Sequence, residues 1–156
     1  MAHRAPRMDG PPLSQSLPGT WRLLSREDRT AAGERRVDPG LGADPEGLLF
    51  YDRAGNFAAQ FMKRDRTGGQ GALPAAAGPN NSRAVGGYDA YFGSYAVDDG
   101  AGTVTQRLLG ALAPENVGLV VTRSMRITGD ELVIQLGTAS ADGTPVTRTL
   151  RWRRVA

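Results

Sequence analysis

Through most of the chain, apolar and polar residues alternate with a period of two, and short clusters of Gly, Pro, Asn and Asp interrupt the alternation. That is the grammar of strands joined by turns. The clearest instance is Gly47 to Met62, in which Leu48-Leu49-Phe50-Tyr51 runs into Asp52-Arg53-Ala54-Gly55-Asn56 and Phe57 to Met62 runs back. A glycine able to take φ > 0 inside a cluster of turn formers makes this a hairpin. The same reading predicts strands at 19–26, 47–52, 56–63, 87–98, 102–112, 117–127, 131–139 and 145–155, with a weak edge strand near Arg35 to Val37. No helix is expected. At 156 residues the chain suits one domain at 17–156 with a single core, preceded by a Pro-containing, aperiodic tail at 1–16 read as disordered. The expected architecture is an all-β, antiparallel up-and-down barrel of about eight to nine strands.

Phase along each strand nominates the interior. Trp21, Leu23 and Ser25 share one face of the first strand and Arg22, Leu24 and Arg26 the other, so Trp21 is expected to plug the core. On the last strand Val146, Arg148, Leu150 and Trp152 share a face. The strand at 87–98 carries rings in both phases, with Tyr91, Tyr95 and Val97 opposite Tyr88, Phe92 and Ala96, so its inward face stays open. On the strand at 117–127 the apolar set is Val117, Leu119, Val121, Met125 and Ile127, and position 123 of that set is an arginine. A guanidinium in that phase must find acceptors or a ligand anion to offset its desolvation. It is either the polar handle of a cavity or a brace paired with core carboxylates, carbonyls or a ring. Lys63 to Gly86, rich in Gly, Ala, Pro and Asn, is long for a connection in a compact domain and reads as a lid over one barrel mouth or a mobile link.

Composition removes several chemistries. The chain has no cysteine, and its one histidine, His3, falls in the tail, so the folded body lacks the usual general base, Ser-His or Cys-His relays, and most zinc, copper or haem ligand sets. No calcium-type Asp spacing is present, and Gly68-Gly69-Gln70-Gly71 lacks the strand and helix of a dinucleotide fingerprint. No cofactor or metal is therefore expected. The formal charge of +3 comes from arginines that alternate with apolar residues instead of clustering, which argues for a solvated outer face and against nucleic acid. With no apolar run long enough for a secretory signal or a membrane span, the expectation is a cytoplasmic protein, monomeric or homodimeric, without a membrane partner.

Five segments carry a family resemblance: Gly19-Thr20-Trp21 with Arg22-Leu23-Leu24, Gly47 through Arg66, Tyr88 through Tyr95, Gly102-Thr103-Val104-Thr105, and Leu150 through Val155. Together they cover nearly the whole chain beyond the tail and resemble the bacterial lipocalin-like domain family of the calycin superfamily. The family often has two histidines where this chain has Gln106 and Arg107, and a tryptophan in the loop that here reads Pro114-Glu115-Asn116, so roles assigned to those side chains do not carry over. What the resemblance implies is a closed barrel around a hydrophobic small molecule; it does not imply a reaction.

Two functions fit such a barrel. One is a cofactor-free cyclase or isomerase acting on a polyketide-like or other natural-product intermediate, in which near-attack positioning supplies up to roughly 7 to 11 kcal/mol. Arg123, Tyr91 and Tyr95 are then the candidate catalytic residues, polarising a carbonyl as charge develops. The other is a passive carrier of the same kind of ligand. In either case Tyr51, Phe57, Phe61, Tyr88, Phe92, Gln106, Arg107, Val121, Met125 and Trp152 are the expected ligand-binding positions.

Overall fold

The computed structural model describes residues 10–66 and 84–156. Nine strands form one antiparallel sheet: β1 (Gly19–Arg29), β2 (Arg35–Arg36), β3 (Glu46–Tyr51), β4 (Asn56–Met62), β5 (Tyr88–Asp98), β6 (Thr103–Ala111), β7 (Val120–Thr128), β8 (Glu131–Ala139) and β9 (Pro145–Arg154). The order is β2-β1-β3-β4-β5-β6-β7-β8-β9, and β1 also pairs with β9, so eight strands close into an up-and-down barrel with β2 as a short addition. Closure removes the exposed sheet edges that an open eight-stranded ladder would carry.

Local chemistry explains the hairpins. At the β3–β4 turn Asp52 Oδ1 accepts the backbone N–H groups of Ala54 (2.9 Å) and Asn56 (2.8 Å), while Gly55 sits at φ +93°. An aspartate that satisfies its own turn and a glycine in the left-handed region are the turn chemistry that pairs Tyr51 with Phe57.

The segment before β1 departs from the expected disordered tail. Leu13–Ser16 form one turn of helix, α1, and Ser14 binds Asp99 through its backbone N–H (2.8 Å) and its Oγ (2.6 Å). Leu17 is fully buried and its carbonyl accepts the Trp21 indole N–H at 3.0 Å. The Arg154 guanidinium lies 4.2 Å above the Trp21 ring and donates to the carbonyls of Pro18 (3.0 Å) and Ser16. Apolar burial of Leu17 and these bonds order the segment from α1 onward and close the barrel base. Residues 1–9 lie outside the described part.

Two further differences have backbone causes. Val117 is exposed and β7 begins only at Val120, because Pro114–Asn116 make a 3-10 turn and Gly118 takes φ +90°, which breaks the strand. On β1, the register against β9 shifts between Leu23 and Ser25. A bulge of this kind adds a residue on one strand and so inverts the phase beyond it. Trp21 and Leu23 face inward as expected, but past the bulge it is Arg26 and Asp28 that are buried, whereas Arg26 was expected outside.

Candidate functional site

The barrel interior is layered. Its lower part, toward α1, is filled by Trp21, Tyr51, Phe57, Met125, Leu132 and Trp152, all buried. Above them is a cavity of about 70 Å³, several times the roughly 10–15 Å³ needed by one water and well below the roughly 300–1,000 Å³ of drug-sized sites. Apolar residues from β3, β4, β6, β7, β8 and β9 make most of its wall, and Leu41, 1% exposed, lines it from the segment between β2 and β3. Against this apolar wall stand Arg26, Asp89, Arg123 and Arg148, together with Tyr51, Tyr91, Gln106 and Asn116.

Two of the arginines are held by carboxylates. Arg148 donates to both oxygens of Asp28, from Nε at 2.8 Å and Nη2 at 2.9 Å, and Arg26 Nη2 meets Asp38 Oδ2 at 3.1 Å. Arg123 lines the cavity from β7, directly opposite Val104 in register. Burial depresses its pKa, opposed by the nearby Tyr91 and Tyr51 and reinforced by Arg148. Tyr51 accepts a 2.5 Å hydrogen bond from Gln106 Nε2, and burial pushes its hydroxyl far above the ordinary range. Burial, and then Asp89, also raises Tyr91. Both hydroxyls are thus protonated at neutral pH, and that of Tyr51 donates to Met125 Sδ at 4.0 Å.

Asp89 is the least expected member. It is 2% exposed, and its Oδ2 has no hydrogen-bond partner among the described residues. Desolvation pushes its pKa up to about 6, against the backbone N–H of Ala90 and the charge of Arg26, which favour ionisation. The indole Nε1 of Trp152, in the same wall, is likewise buried without a partner. Two residues that line one cavity thus carry a buried acceptor and a buried donor without partners among the described residues.

Of the residues nominated from sequence, Arg123, Tyr91, Tyr51, Phe61, Gln106, Val121 and Trp152 come together around the cavity. Phe57 and Met125 lie in the packed core below it: Phe57 is 6.0 Å from the rings of both Tyr51 and Tyr91, and Met125 Sδ is 4.0 Å from Tyr51 Oη. Tyr95 shares the inward face of β5 but sits edge-on to Tyr51 at 4.8 Å and donates its hydroxyl to the Asp52 carbonyl at 2.5 Å, away from the cavity. Tyr88, Phe92 and Arg107 are not at the cavity, because the inward phase of β5 is that of Asp89, Tyr91 and Tyr95, and that of β6 is Val104, Gln106 and Leu108. Phe92 and Arg107 are exposed, and Tyr88 donates to Gln60 Oε1 at 2.5 Å in an outer groove.

Arg26, Arg148 and Asp89 were not singled out from sequence. Arg148 carries the same signal as Arg123, a charged residue in the apolar phase of its strand; Asp89 does not, since rings occupy both phases of β5, and Arg26 carries none, since the bulge creates its phase. The lid expected at 63–86 falls largely on 67–83, outside the described residues. Among the described residues no three His, Asp or Glu side chains gather in a way that could hold a metal, and no helix is long and apolar enough to cross a membrane.

A barrel of this shape suits a small hydrophobic molecule. No curated protein matches the chain in sequence. The model of the lipocalin-like domain family matches residues 18–155, nearly all of the chain, and the protein belongs to that family.

Proposed function

We propose that the barrel binds a small, largely apolar molecule bearing a carbonyl or enol oxygen and converts it by a cofactor-free isomerisation or cyclisation. The observation that carries this reading is Arg123, a guanidinium in an apolar-walled cavity beside the protonated hydroxyls of Tyr51 and Tyr91. Such donors are fixed before the ligand arrives, so they stabilise developing oxyanion charge without reorganising, and the low local dielectric strengthens them. Tyr95, whose hydroxyl is taken by the Asp52 carbonyl, is left out of the catalytic set. The cavity, about 70 Å³, suits a compact ligand.

The test is to incubate the protein with hydrophobic ketones and polyketide-like intermediates and follow the compounds by mass and by chromatographic retention. Conversion to an isomeric or dehydrated cyclic product, weakened in Arg123→Met, supports the enzyme. Saturable binding with every ligand recovered intact identifies a carrier instead.

A further inference from the structure

Asp89 has no structural role that accounts for its position. Among the described residues, two other carboxylates with almost no side-chain exposure are spent on arginines, Asp28 on Arg148 and Asp38 on Arg26. Asp89 instead lines the cavity, directly opposite Phe61 in the β4–β5 register, and its buried Oδ2 has no partner among the described residues. Burying a carboxylate oxygen without a donor is costly, and native structures retain such groups where a ligand completes them.

We propose that Asp89 is the general base of this cavity: its orphaned Oδ2 takes a proton from a carbon next to the carbonyl of the bound molecule, while Arg123 stabilises the oxygen that becomes negative. In the step the C–H bond breaks, its electron pair forms the C=C bond of the enolate, the carbonyl π pair moves to oxygen, and Asp89 gains an O–H. Returning the proton to a different carbon completes an isomerisation; attack of the enolate carbon on a second carbonyl closes a ring. Trp152 Nε1–H, orphaned in the same wall, is a second donor for the oxygen. The assignment rests on the cavity being the ligand site.

The groups facing Asp89 suit this role. Arg26 on β1 and Arg148 on β9 favour its ionised form, Asp38 opposes it, and Asp89 in turn raises Tyr91 on its own strand. Arg123 on β7 acts on Tyr91 from the other side. The shift to about 6 leaves Asp89 mostly ionised at neutral pH yet more basic than an ordinary aspartate, the compromise that general-base catalysis favours.

The probe is 5-nitrobenzisoxazole, whose ring opens when a base removes its C3 proton: the C–H pair forms the nitrile π bond, the N–O bond breaks and a coloured phenolate is released. Only a base and an oxyanion donor are needed. Binding is read independently from quenching of the two tryptophans, Trp21 and Trp152, the second of which lines the cavity. We expect saturable quenching, ring opening at least tenfold above buffer, a rate that climbs with pH through about 6 and levels off, and a fall to the buffer rate in Asp89→Asn with quenching kept. Saturable quenching without accelerated ring opening, or an Asp89→Asn variant as fast as the parent, overturns the base assignment and leaves the ligand site standing. Absence of quenching overturns both.

Discussion

Arg148 and Asp28 face each other across the β1–β9 seam, paired in register and joined by two hydrogen bonds of 2.8 and 2.9 Å, with both side chains buried. The pair bridges the two strands whose contact closes the barrel. Removing one partner of a buried pair strands the other charge, at a cost of about 3–5 kcal/mol. Arg148→Met is therefore expected to lower the free energy of unfolding by that amount in a denaturant titration. Replacing both, as in Asp28→Leu with Arg148→Met, should recover most of the loss, because an apolar pair of similar volume needs no desolvation.

Arg123→Met is expected to behave differently. Burial already opposes the charge of Arg123 and the second cation, Arg148, adds to that, while Tyr91 and Tyr51 favour it. Stability should stay within about 1 kcal/mol of the parent or rise, while binding of a carbonyl-bearing ligand weakens by roughly 1.5–3 kcal/mol, the worth of a charged hydrogen bond. Calorimetry of ligand binding beside a thermal melt reads both. A stability loss above about 3 kcal/mol would make Arg123 a structural brace.

Asp89 makes stability depend on pH in a defined window. Its folded pKa, about 6, exceeds the ordinary aspartate value near 3.9, so between these pH values the folded state holds a proton that the unfolded state has released. Stability should fall as pH rises from about 4 to about 6, by up to ~3 kcal/mol at roughly 1.4 kcal/mol per pH unit. Asp89→Asn should flatten this slope and stabilise the protein at pH 7 by roughly 1–3 kcal/mol, measured by urea titration at a series of pH values. An unchanged slope would mean that Asp89 titrates as an exposed aspartate does.

The β5–β6 seam offers a test of close backbone approach. A Cβ built at Gly93 would lie 1.7 Å from the Arg107 carbonyl oxygen, where the two strands shift register, so Gly93→Ala must push backbone apart. A loss of about 3 kcal/mol or more is expected. At Gly110 the nearest obstacle is the Phe92 ring at 2.3 Å, but Phe92 is 56% exposed and free to swing away, so Gly110→Ala should cost about 1 kcal/mol or less. Equal losses in thermal melts would refute this distinction.

By itself the chain determined its strands, its turns and the general contents of the barrel. Alternation of period two and clusters such as Asp52 to Asn56 are local signals, and they placed Trp21, Val121, Arg123 and Trp152 on inward faces because a strand's side-chain phase is set by its own backbone. That signal also marked Arg148 in the apolar phase, and stopped short at β5, where rings occupy both phases. Tertiary structure decided the rest. Asp89 and Tyr91 face inward because β5 is locked between β4 and β6, and Arg26 and Asp28 turn inward because the pairing of β1 with β9 shifts register at Leu23–Ser25, with Arg26 reaching the cavity. Leu41 joins the cavity lining from a segment between strands, beside residues distant in sequence. A bulge and an inward face are properties of two strands in register, and the alternation within either strand alone carries no trace of its partner.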